Sequence, residues 1–212
     1  MGCKRPGFVT GIDREAALIP SPHPVLCSGA DSKRAETAAM TLLDLGCDLL
    51  VSFGLAGGLA PGLRAGTLLA PSEIIAPDGQ RFACASSFQF ANALRTPMAG
   101  SDNLLSTPDQ KTLLHARTNA VAVDMESHAV ARMAHKRGIP FLALRAVADT
   151  AELALPAFIA DATTPEGKTR VGAILMGLLK EPAALPDLIR LARASDKAFA
   201  ALKAALPVLL KK

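Results

Sequence analysis

The 212-residue sequence contains no tryptophan, no tyrosine and only eight phenylalanines. A chain that is half hydrophobic must then build its interior from Ala, Leu, Val and Ile, and at this length it can close a sizeable core in one domain. It also lacks any uncharged apolar run of the roughly 18 residues that a bilayer-spanning helix needs. The opening MGCKRPGFV has no apolar core of a secretory signal, and Pro6 stands where a myristoylation signal requires Ser or Thr. Cys3, Cys27, Cys47 and Cys84 are scattered, with no C-x-x-C and no neighbouring histidine. That spacing argues against a disulfide framework or a zinc site, and for reduced thiols in a cytoplasmic protein. His23, His115, His128 and His135 are too dispersed to ligate a metal. No metal is expected.

What charge there is sits at one end. The net charge is +4, and residues 180–212 carry all of it, while residues 1–179 balance to zero. A neutral core without a basic aromatic surface is not expected to bind nucleic acid. The chain divides on this basis into a domain over residues 1–180 and a basic helical tail over 181–212.

Strand and helix signals alternate. Phe8–Ile12 reads as a strand ending at a glycine, and Lys33–Leu45 as a helix stopped by Gly46. Asp48–Phe53 reads as a buried strand running into a glycine turn, and Thr67–Ala76 as an extended stretch broken by Pro71. Ala120–Val123 precedes a helix over Met125–Arg137, and FLALRAVAD follows as a strand. Short Gly/Pro turns between alternating elements indicate an α/β sheet covered on both faces.

Three stretches carry chemistry. In LVSFGLAGGLAPG a strand ends in Gly54, Gly57, Gly58 and Gly62, which form either a wall against which a ligand lies or a tight structural turn. In VAVDMESHAV, Asp124 and Glu126 stand where a strand gives way to a helix. A carboxylate there either accepts hydrogen bonds from a sugar hydroxyl pair or caps the helix. In FLALRAVADTAE, Asp149 ends an apolar strand, where desolvation favours a raised pKa and a general-acid role, or again a helix cap. Arg145, four residues earlier on the same side of the strand, needs an anionic partner if buried. CSGADSKRAE places Ser28, Gly29, Ser32 and Arg34 at a helix start. They bind an anion there, or Asp31 and Ser32 simply cap the helix.

In combination, VTGIDREAALI, LVSFGLAGGLAPGLRAGTLLAP and AVDMESHAVARMAHKRGIPFLALRAVADTAE resemble the nucleoside phosphorylase and nucleosidase superfamily, from about residue 8 to residue 152. The likeness is greatest to its methylthioadenosine/S-adenosylhomocysteine nucleosidase branch. The resemblance implies a single-domain three-layer fold, a mixed central sheet flanked by helices, with a C-terminal amphipathic helical tail. It implies that Met125 and Glu126 hold the ribose, that Asp149 protonates the purine at N7, and that Glu15, with Asp13 competing, positions a water. It places Leu104, Leu105, Ala56 and Gly57 beside the purine. Leu55 stands where phosphorylases often carry a hydroxyl for phosphate, which favours water over inorganic phosphate as co-substrate; no other cofactor is implied. Family members commonly form homodimers or larger homo-oligomers.

Beyond residue 152 the ordinary nucleosidase pattern fades. From Pro186 a basic helix aligns Leu188, Leu191, Ser195, Phe199, Leu202 and Leu206 in one stripe, which packs on its own domain or docks on an anionic membrane. With the Leu-substituted loops, this tail resembles the hopanoid-associated phosphorylases. That implies adenosylhopane as substrate and adenine release; Leu153, Leu155, Phe158 and Ile159 in ELALPAFIA either line the exit of its lipid 5′ group or belong to an ordinary loop and helix covering the core. The alternatives are a soluble methylthioadenosine/S-adenosylhomocysteine nucleosidase, or a catalytically silent nucleoside-binding protein.

Overall fold

The computed structural model describes residues 5–159, 162–164 and 166–210. Cys3 and the two closing lysines, Lys211 and Lys212, lie outside the described residues. Strand β1 (Pro6–Thr10) leads into a one-turn helix, α1 (Asp13–Ala16), and then β2 (Val25–Cys27) and α2 (Ser32–Asp44). The long strand β3 (Leu49–Gly58) is followed by short strands β4 (Leu68–Leu69), β5 (Glu73–Ile75), β6 (Arg81–Ala83) and β7 (Met98–Gly100). Helix α3 (Pro108–Thr118), strand β8 (Ala122–Asp124), helix α4 (Ser127–Lys136) and strand β9 (Phe141–Asp149) complete the sheet region. Two helices close the chain, α5 (Val171–Lys180) and α6 (Leu185–Leu210).

One mixed sheet runs β2-β1-β3-β8-β7-β5-β6, with β9 paired to β3 and β4. β1 is parallel to both β2 and β3, and β9 is parallel to β3. β8 and β4 run antiparallel to β3 and β9, respectively. The strand expected to stop at Phe53 continues to Gly58. Its glycines hold register with β9 through Ala56↔Val147, then shift at Ala56/Gly57 and pair with β8. Backbone pairing on both sides outweighs the low strand preference of glycine, so this stretch is strand rather than turn.

β9 is buried at all nine positions because helices cover both faces of the sheet. On one face, α2 and α4 pack through Ala35, Ala38, Ala39, Ala131 and Ala134, whose small side chains let the helices sit close. On the other face lies α6. Its residues Ala198, Phe199, Leu202, Ala205, Leu206 and Leu209 are buried against the core beside β9. Thus the C-terminal part of the stripe packs on its own domain, while Leu185 and Ile189 near the helix start are exposed. No helix among the described residues is long and apolar enough to cross a membrane. Helices α3 and α5 were not expected. The first carries a capping box, with Thr107 accepting from Gln110 N and Pro108 opening the helix.

Candidate active site

The ends of β1, β8 and β9 deliver acidic side chains to one cavity of about 260 Å³, which the end of β3 also lines. Glu15 enters from α1 and is almost fully buried. Its Oε2 accepts from Gly11 N at 2.7 Å and Ile12 N at 3.0 Å, and its Oε1 from Leu55 N at 2.8 Å. The carboxylate thus fills a nest of three backbone amides, the kind of concavity that otherwise takes an anion. Asp13, its competitor, is exposed.

Arg145 projects from the middle of β9 and is 1% exposed. Its Nη2 lies 2.5 Å from Asp124 Oδ2 and 3.0 Å from Glu126 Oε2, and donates to Ser52 Oγ. Nη1 donates to Leu55 O at 3.2 Å. The anionic partners that a buried arginine requires are therefore Asp124 and Glu126. Asp124 also accepts from Ser127 N and Ser127 Oγ at the start of α4. It caps the helix and pairs with Arg145 at once. Burial would lower the Arg145 pKa, but Asp124, Glu126 and Glu15 outweigh it and the guanidinium is held more firmly charged.

Three carboxylates around one guanidinium leave an excess of negative charge. Burial, with Asp124 and Glu15 adding to it against Arg145, pushes the Glu126 carboxyl up to about 8. Burial likewise raises Glu15, against the pull of Arg145 and the three amides. Asp149, at the end of β9, is raised by burial and opposed by Lys111. Lys111 Nζ lies 2.5 Å from Asp149 Oδ2.

The glycines explain how these carboxylates come so near the sheet. A Cβ at Gly54 would overlap the Glu15 carboxylate, and one at Gly57 would stand 3.3 Å from both Asp149 oxygens. Gly11 does the same for Glu126, whose Oε1 lies 2.8 Å from its would-be Cβ. What approaches the bare backbone in this structure is the protein's own acids, and the cavity opens beyond them.

Glu15, Ala56, Gly57, Leu104, Leu105, Met125, Glu126 and Asp149 all line this single cavity. Ser28, Gly29, Ser32 and Arg34 do not. Arg34 spends its guanidinium on the carbonyls of Ser28 (2.6 Å) and Gly29 (3.2 Å), Ser32 donates to Asp102, and Asp31 caps α2. Asp31 thus caps the helix, as one alternative had it, while the buried Ser28 Oγ has no partner among the described residues. Leu153 and Phe158 are also absent from the lining: the Leu153 carbonyl accepts from Lys111, and the Phe158 ring lies against Gly177 of α5. Their neighbours Leu155 and Ile159 form the wall instead, with Leu191 and Ser195 of α6. Among the described residues no group of His, Cys, Asp and Glu converges as a metal site would require.

The sequence pattern of the phosphorylase superfamily matches residues 23–101 and 82–180. The chain belongs to that superfamily. Solved structures carry the same fold over the whole length. A 5′-methylthioadenosine/S-adenosylhomocysteine nucleosidase from Neisseria meningitidis, in complex with methylthio-immucillin-A, is 18% identical, with 99% of each chain covered and a TM-score of 0.72. An S-adenosylhomocysteine nucleosidase from Streptococcus pyogenes is 18% identical, covering 100% of this chain and 98% of its own, with a TM-score of 0.73. The futalosine hydrolase of Helicobacter pylori is 16% identical, with 98% and 97% covered and a TM-score of 0.72. Within this superfamily member, the sequence alone did not single out the smaller Ser52 and Ser127 beside Arg145 and Asp124, nor Lys111, a charged site residue. The capping box TPDQ marks its helix, but nothing in the sequence marks a lysine there as buried.

Proposed function

We propose that the protein cleaves the N-glycosidic bond of a 5′-modified adenosine by hydrolysis, releasing adenine. The observation that carries this reading is the convergence of Asp149, Glu126 and Glu15 on one cavity. A departing purine needs a proton at N7, and a buried carboxyl whose pKa is raised supplies one. The sugar left behind develops positive charge, which the excess of carboxyl groups over the single Arg145 guanidinium tolerates, with Glu126 holding its proton. Glu126 keeps one oxygen on Arg145 and has Oε1 to accept from ribose hydroxyls. Met125 lies beneath the sugar and Leu104 and Leu105 beside the base.

Glu15 also favours water over phosphate. Its carboxylate occupies the amide nest formed by Gly11, Ile12 and Leu55, so an inorganic anion finds those donors taken. A water beside Glu15 attacks C1′ and gives it a proton. Leu55 offers no hydroxyl to a phosphate, and Arg34 is turned away on backbone carbonyls.

For the 5′ group we favour a large apolar substituent, as in adenosylhopane, which would leave a ribosyl-hopane. The wall of Leu155, Ile159 and Leu191 supports this. So do Val171, Leu175, Met176 and Leu179, all exposed on α5 next to that wall, where they suit peripheral contact with a lipid surface. The second reading, a nucleosidase for methylthioadenosine or S-adenosylhomocysteine, is favoured by the burial of Phe199, Leu202 and Leu206 in the core rather than on a membrane-facing stripe. The deciding experiment measures adenine release from methylthioadenosine and from a lipid-linked adenosine, each with and without phosphate. Turnover independent of phosphate, faster on the lipid substrate and absent in Asp149→Asn is expected. A strict phosphate requirement would overturn hydrolysis, and undiminished turnover in Asp149→Asn would remove the assigned acid.

A further inference from the structure

Lys111 stands in the first turns of α3, and it is 0% exposed. Its ammonium has three N–H donors, and all three are used. They reach Asp149 Oδ2 at 2.5 Å, Thr150 O at 2.8 Å and Leu153 O at 2.9 Å. The lysine therefore ties α3 to the end of β9 and to the turn that follows, and has no donor left to offer a ligand. Burying an ammonium is costly without a carboxylate partner, and a clamp needing only the two carbonyls would not require a charge. Asp149 Oδ1, by contrast, takes no hydrogen bond from the described residues, and the missing side chain at Gly57 leaves it room.

We propose that Lys111 is a positioning residue for Asp149: it holds one carboxylate oxygen so that the other faces the purine, and it stabilises the carboxylate formed when the proton leaves. The proposal rests on the glycosidic-cleavage reading above. In the step concerned, Asp149 Oδ1 gives its proton to N7 and the electron pair of the C1′–N9 bond passes to adenine. A water oxygen bonds to C1′ and its proton goes to Glu15. Asp149 is then an anion against the Lys111 ammonium, and a proton returned from Glu15 through solvent resets it. Removing the ammonium leaves an acid that holds its proton more tightly and donates it less readily.

The charged surroundings make the effect separable. Lys111 is the charged group in contact with Asp149. Glu15 from α1, Asp124 and Glu126 between β8 and α4, and Arg145 earlier on β9 line or border the same cavity, and exposed Glu152 accepts from Gly62 N. The active form carries the proton on Asp149, so turnover falls as pH rises through its pKa. Lys111 opposes the upward shift that burial causes, so deleting its charge moves this alkaline limb to higher pH.

The test is the pH profile of kcat and kcat/KM for adenine release by the full chain and by Lys111→Met, Lys111→Gln and Lys111→Arg. The neutral variants should carry the limb up by about one pH unit or more, with a plateau kcat reduced roughly tenfold; arginine should keep the limb where it was. The Glu126 titration is common to all four proteins, so the comparison isolates residue 111. A folded Met or Gln variant with an unmoved limb overturns the proposal. Because Lys111→Met strands two carbonyls, a second measurement follows proton uptake on adenine binding by calorimetry, with Lys111→Gln. Uptake should be smaller in Lys111→Gln, whose Asp149 is already protonated, and equal uptake refutes the role. Failure of adenine to bind the unaltered protein refutes the glycosidic reading instead.

Discussion

Replacing Glu126 by glutamine should flatten part of the protein's dependence of stability on pH. Glu126 is 4% exposed, shares the Arg145 guanidinium with Asp124, and titrates at about 8 rather than at its ordinary 4.5. A carboxyl raised in this way stabilises the fold while protonated, and that contribution is lost as pH climbs from 4.5 towards 8. At about 1.4 kcal/mol per unit of displacement, the upper bound over the whole window is about 5 kcal/mol. Between pH 5 and 7 the unfolded chain has largely released this proton and the folded protein still holds it, so about 2.5 kcal/mol of stability disappears over that interval. Glutamine keeps the shape and carries no proton to lose. Glu15, also raised by burial, still titrates, so the slope should diminish rather than vanish. Urea unfolding of both proteins from pH 5 to pH 8, with the slope of free energy against denaturant held as a control, reads the difference directly. A variant that loses as much stability between pH 5 and 7 as the parent would show that Glu126 is ionised throughout, and the charge assignment of the whole cluster would fall with it.

Two further perturbations probe the parts around that cluster. Gly57→Ala puts a methyl 3.3 Å from both Asp149 oxygens; adenine release should drop at least tenfold by a kinetic assay while circular dichroism stays native, and an active variant would show that Asp149 has slack. Leu202→Ala empties a fully buried position between α6 and the sheet and should cost about 2–5 kcal/mol in denaturant unfolding. A loss below about 1 kcal/mol would mean that α6 is dispensable to the core.

Much of this architecture could be read from the chain because some segments carry redundant signals. FLALRAVAD, bounded by Gly138 and Pro140, is one strand from Phe141 to Asp149 as expected. The need of Arg145 for an anion was equally legible, but the identity of its partners was not, because Asp124 and Glu126 reach it only through tertiary packing. The glycines after Phe53 misled for a physical reason: turn propensity is local, whereas β3 is held extended by β9 on one flank and β8 on the other. The attachment of Arg34 to Ser28 O and Gly29 O could not be foreseen, because it is a matter of rotamer, which composition does not reveal. Lys111 was invisible for the converse reason, since a lysine on a short helix is ordinarily solvated.

Arg145 and Asp149 ride on the same strand, four residues or about 13 Å apart along it, and that strand is walled in along its entire length. The arginine that braces Glu126 and the acid proposed for the base are consequently graduations on one stiff ruler, with no hinge between them. On the reading proposed above, a nucleoside is gauged by that fixed interval, and variation in what the site accepts is left to the wall of Leu155, Ile159 and Leu191, which comes from segments outside the strand.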